Sequence, residues 1–142
     1  MIRFYKCVNR LSTIIFFGVI LTLLILQSNS SNGTDYDEIK KIVASDRGTF
    51  DRFGESVSIS GDHAIVGAWL EDEDVSGGNF LNGAGSAYIY ERNGLGVWSE
   101  VQKIVASDRA SFDQFGNTVS ISGNYTILGV SGEDEDALGG IH

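Results

Sequence analysis

From Ser56 to Ser60 small polar and apolar residues alternate, with Val57 and Ile59 on one face. That two-residue period predicts a β-strand. Gly61-Asp62 signals a tight turn, and Ala64 to Ala68 is a second apolar run. Together they predict a β-hairpin with a very short connection. Glu71 to Gly85 is acidic and rich in glycine, so it reads as a long loop. Ser86 to Tyr90 predicts a third strand, with Ala87 and Ile89 on one face and Tyr88 and Tyr90 on the other. Asn93-Gly94-Leu95-Gly96 is a turn, and Trp98 to Val105 a fourth strand.

The whole pattern recurs 62 residues later without a gap. Lys41 to Arg47 (KIVASDR) returns as Lys103 to Arg109, and Phe50-Asp51-Arg52-Phe53-Gly54 as Phe112-Asp113-Gln114-Phe115-Gly116. Val57-Ser58-Ile59-Ser60-Gly61 returns as Val119-Ser120-Ile121-Ser122-Gly123, and Glu71-Asp72-Glu73-Asp74 as Glu133-Asp134-Glu135-Asp136. A fixed period of this length marks a solenoid, propeller or array. Four short antiparallel strands per period match one propeller blade.

The expected architecture is therefore all-β: four-stranded propeller blades in an incomplete ring, after an N-terminal signal or anchor helix. Residues 36–43 correspond to a stray fourth strand, residues 53–105 to one full blade, and residues 115–142 to part of another. A blade cannot bury both faces alone, so the chain reads as a piece of a longer ring. In a longer version, the stray strand would pair with the last blade and close it.

Residues 1–30 follow another pattern. Arg3, Lys6 and Arg10 precede a nearly apolar run from Leu11 to Leu26, and small polar residues Ser28 to Asn32 follow. Basic, apolar, then small-polar is the order of a secretory signal. The run is also close to the length of a membrane anchor. Either way the body of the chain is expected outside the cell, secreted or at its surface, with membrane attachment through this segment as the second option.

Charge narrows the partners. The formal net charge is −9, and setting aside the three bases before residue 30 takes it to −12. Such a surface repels phosphate backbones, so no nucleic-acid partner is expected. Cys7 is the single cysteine, which excludes a disulfide framework or a cysteine-based zinc site.

Asp51-Arg52-Phe53-Gly54, Ser56 to Asp62, Ala64 to Ala68 and Gly83 to Tyr88 together resemble the FG-GAP repeat of integrin α-subunit propellers, in its extracellular bacterial-type version. The resemblance covers residues 36–142. It implies a propeller of FG-GAP type in a surface or secreted protein, and no particular ligand. Integrin-type repeats often carry a calcium loop between the first two strands. Here that connection is Gly61-Asp62-His63 or Gly123-Asn124-Tyr125, too short to wrap a cation, so that site does not carry over.

The candidate chemistry lies in the acidic loops. Asp72, Asp74, Asp134 and Asp136 offer oxygen ligands beside flexible glycines, with calcium as the candidate cation. A solvated loop is the first reading of such a charge run, and cation binding the second. Phe53-Gly54 and Phe115-Gly116 are expected to be structural. Tyr88, Tyr90 and Trp98 are expected to pack between blades, a glycan platform being the alternative. His63 becomes Tyr125 in the second copy, and no paired metal histidines or phosphate loop is present. A noncatalytic binding, adhesion or scaffold protein is therefore expected, with an extracellular protein or glycan as partner. The alternatives are an accessory propeller of a secreted enzyme and a calcium-stabilised array.

Overall fold

A computed structural model of the chain describes residues 1–8 and 35–134. Among these it is all-β, with eight strands and no helix: β1 (Ile2–Val8), β2 (Asp35–Ile42), β3 (Val57–Ser60), β4 (His63–Ala68), β5 (Ser86–Arg92), β6 (Trp98–Ile104), β7 (Thr118–Ser122) and β8 (Tyr125–Gly129). No helix of the described residues is long and apolar enough to cross a membrane. The apolar run from Leu11 to Leu26 lies outside the described residues.

β3 to β6 form one four-stranded antiparallel sheet in sequence order, the expected full blade. β7 and β8 repeat its first two strands. The hairpins turn on Gly61 and Gly123, with φ of 59° and 56°. A glycine with positive φ at the first turn position matches the twist of the flanking strands, and a Cβ there would be strained.

β2 is not alone. It pairs antiparallel with β1, a strand that the sequence reading placed in the basic flank of the export segment. The register is informative. Ile2, Tyr5 and Cys7 face Ile42, Glu38 and Tyr36. Ala87, Tyr90 and Arg92 face Ile104, Glu100 and Trp98, each 62 residues further on. Even the irregularity recurs, between Phe4 and Tyr5 in β1 and between Ile89 and Tyr90 in β5. β1 thus stands where the third strand of a preceding blade belongs, and β2 is that blade's fourth. Because Val8 is the partner of Asp35, this pairing and a single membrane crossing by the segment between them exclude each other.

The core lies between this hairpin and the blade. Ala64, Val66, Ala68, Tyr88, Tyr90 and Trp98 are buried together with Ile42 and Ala44, and Ile2, Phe4 and Phe53 pack against them. Phe4 stacks on Trp98 with ring centroids 4.3 Å apart, and Phe53 meets Tyr88 edge-on at 5.6 Å. Tyr88, Tyr90 and Trp98 are at most 3% exposed, so these three pack in the core and are not a glycan platform. Phe53 plugs the space between successive sheets, as the repeat period suggested.

The opposite face of the blade meets the second copy. Val57 and Ile59, paired with Val66 and Ala64, lie on the face turned to the β1–β2 hairpin and stay more than half exposed there. The serines between them point the other way and meet the second copy. The hydroxyls of Ser56, Ser58 and Ser60 accept hydrogen bonds from the backbone N of Val119, Ile121 and Gly123, at 2.8, 3.2 and 3.1 Å. Strand alternation was read correctly, but which face meets a neighbour is set by the neighbour. Gly67 lets the sheets close up: a Cβ there would lie 2.0 Å from the carbonyl oxygen of Gly116.

Candidate functional site

The acidic loop after β4 is held by its own carboxylates. Asp74 accepts from the backbone N and hydroxyl of Ser76, the backbone N of Gly78 and the side-chain amide of Asn79. These donors, the Ser76 hydroxyl foremost, hold its pKa well below the usual carboxylate range. Asp72 accepts from Gly83 N at 2.7 Å, while its carbonyl accepts from Leu81 N and from the Arg109 guanidinium. Both residues therefore shape the loop. Asp134 sits elsewhere, in a trio with Asp113 and Glu133 whose carboxylate oxygens lie within 4.8 Å of one another. Asp136 lies outside the described residues.

Glu71, the first acid of the loop, turns inward and is only 2% exposed. Its carboxylate accepts from the Tyr88 hydroxyl at 2.9 Å and lies 3.4 Å from the Lys103 ammonium. Lys103 also reaches Asp46 at 2.7 Å, and the Tyr88 hydroxyl lies 2.8 Å from Asp46. Asp46, Glu71 and Glu73 form a second carboxylate trio, but here Lys103 already supplies the positive charge. Burial pushes the Glu71 pKa up against the Tyr88 and Lys103 contacts. For Asp46 burial acts the same way, yet the hydrogen bonds from Lys103 and Tyr88 outweigh it and the pKa falls. Burial and the two acids push the Tyr88 hydroxyl pKa up, so it stays a donor. The arrangement ties the loop, the first KIVASDR segment and β6 into one closed network. Glu71 and Lys103 each recur at the 62-residue period in the sequence, but no local signal links a loop residue to one on β6.

Asp113 differs. It is 1% exposed, its Oδ2 accepts from Ala110 N, and its Oδ1 has no hydrogen-bond partner among the described residues. A buried carboxylate oxygen left in this way is costly.

A second set of residues escaped the sequence reading. Phe50 and Phe112 hold positive φ values of 78° and 72°, and Arg52 and Gln114 both hold 60°. These are equivalent positions in the two copies. In each loop the backbone N two residues before the Phe donates to the Asp that follows the Phe, Gly48 to Asp51 and Ala110 to Asp113. Phe50 is 80% exposed and Phe112 60%. An aromatic ring held in the left-handed region and shown to solvent is unfavourable on both counts. Recurrence of Phe-Asp-x-Phe-Gly was the available signal, but a sequence does not reveal backbone sign.

The family model described as FG-GAP repeat matches residues 36–90 and 98–141, well over half of the chain. Comparison with curated proteins and with solved structures found no match. FG-GAP repeats suggest a β-propeller type of domain, and they are typical of extracellular or cell-surface proteins. The two copies, their blade-like sheets and the Phe-Gly steps that separate them all agree with that match: the chain belongs to the FG-GAP repeat family.

Proposed function

We propose that this chain is a noncatalytic, exported FG-GAP repeat protein whose loops bind an extracellular protein or glycan. One observation carries the reading: Phe50 and Phe112 are exposed and held at positive φ in both copies. Backbone strain at an exposed aromatic is kept where the ring has a use beyond folding. The network around Lys103 supports the noncatalytic part, since its acids and its tyrosine are engaged in holding loops together. Export is supported by the basic, apolar, small-polar order of residues 1–30.

The test is adhesion of beads coated with the chain to immobilised extracellular proteins and glycans. Phe50→Ala with Phe112→Ala should cut binding at least about tenfold, as loss of aromatic anchors does at other interfaces. The circular dichroism spectrum should not change. Equal binding by wild type and double variant overturns the reading, and turnover of glycoside or peptide substrates by the pure chain overturns its noncatalytic part.

The Asp113 trio favours a second reading, a calcium-stabilised array. Three carboxylates, one of them buried with an unpaired oxygen, supply part of the six to eight oxygens that calcium takes. Calcium should raise the melting temperature of the chain over that in EDTA, and Asp113→Asn should remove the difference. Identical melting in calcium and EDTA sinks this reading.

A further inference from the structure

We propose that copies of this chain join head to tail, the β7–β8 pair of one copy docking on the β1–β3 face of the next. The contact already exists once inside the chain, between β3 and β7. Shifted by one period, its two halves are both on offer. Thr118, Ser120 and Ser122 are exposed on β7, 62 residues after the serines that accept in the inner ladder. On β3, the bond from Gly67 N to Ser56 O makes 56/67, 58/65 and 60/63 the hydrogen-bonded pairs. The amides of Val57 and Ile59 therefore point away from β4, as those of Val119 and Ile121 point away from β8. The same position shows both states: Ile65 is fully buried against the second copy, while its counterpart Ile127 is 72% exposed.

Strand register supports the same placement independently. β1 and β2 are the third and fourth strands of a blade, and β7 and β8 are the first and second. Setting β8 beside β1 in the register of β4 with β5 puts Leu128 opposite Arg3 and Ile127 opposite Phe4. That completes one four-stranded blade from two copies, and it brings β7 in front of β3, where the hydroxyl ladder needs it. The ladder itself uses only β7 and β3, so it survives removal of residues 1–30. Among the described residues each copy offers one half of the contact at β7–β8 and the other at β3, so association runs head to tail.

Sedimentation of the full chain, at concentrations up to about 100 µM to include weak interfaces, tests this. Wild type should form species of at least twice the monomer mass. Ile127→Asp and Ile59→Asp lie at exposed positions, on opposite faces of the contact, so each should fold and remain monomeric. Mixed in equal amounts, they should form a one-to-one dimer, because each keeps the face the other has lost. A monomeric wild type, a monomeric mixture, or association that survives either substitution overturns the proposal.

Discussion

The hydroxyl of Ser58 accepts a hydrogen bond from the backbone N of Ile121, 3.2 Å away and one repeat later. It is the middle rung of a ladder that joins two sheets by side chain to backbone, beside the buried Ile65. A small hydroxyl suits the place, because a larger side chain would hold the sheets apart.

Ser58→Ala should therefore cost about 1 kcal/mol, the usual worth of one hydrogen bond to a part-buried amide. Ser120→Ala, the same repeat position with its hydroxyl in solvent, should stay within about 0.5 kcal/mol when measured on the monomer. Urea denaturation of both variants at low protein concentration gives the comparison.

Gly67→Ala should be far more damaging than Gly94→Ala. The new methyl at Gly67 would meet backbone, the Gly116 carbonyl oxygen, while a Cβ at Gly94 meets nothing within 4 Å. We expect a loss of roughly 3 kcal/mol or more for the first and under about 0.5 kcal/mol for the second. Equal midpoints would show that the sheets can separate without cost.

Stability should depend on pH through two acids that act in opposite directions. Asp46 has a folded pKa below its ordinary 3.8, so its contribution is present above that value and lost as pH falls through the folded pKa. Glu71 has a folded pKa above its ordinary 4.5, so its contribution is present below that value and lost as pH rises through the folded pKa. Glu71→Gln should remove the fall on the upper side and leave the acid limb due to Asp46. Denaturant midpoints measured from pH 3 to 8 should show it, on the roughly 1.4 kcal/mol per pKa unit scale of linkage.

Phe4→Ala should loosen the β1–β2 hairpin. The ring stacks on Trp98 with planes only 8° apart, and it is part of what covers that indole. We expect a cost of roughly 2 kcal/mol, less than for a fully buried Phe because this ring is partly exposed. A red shift of the tryptophan emission, with faster proteolysis near Val8, should accompany it.

Much of this fold is legible in the sequence because the signals are local. Val57 to Ser60 alternates within one strand, Gly61 sets its own turn, and exact spacing makes KIVASDR equivalent to its second copy. The loop from Glu71 to Gly85 was equally plain. The roles of its acids were not, because the Gly83 amide on Asp72 and the four donors around Asp74 come from backbone that only the folded loop brings near.

By itself, then, the sequence determined the repeat, its period, its strand order and its membership in a β-repeat class. These follow from periodicity and turn chemistry, which each segment carries alone. Only the tertiary structure decided that Ser56, Ser58 and Ser60 meet the next sheet while Val57 and Ile59 lie on the face of Ala64 and Val66, and that Lys103 sits between Asp46 and Glu71. It alone placed Ile2–Val8 as a third strand beside β2. Each of these depends on what stands across a gap of tens of residues. Both faces of a strand are open to packing, and the neighbour decides which one is buried.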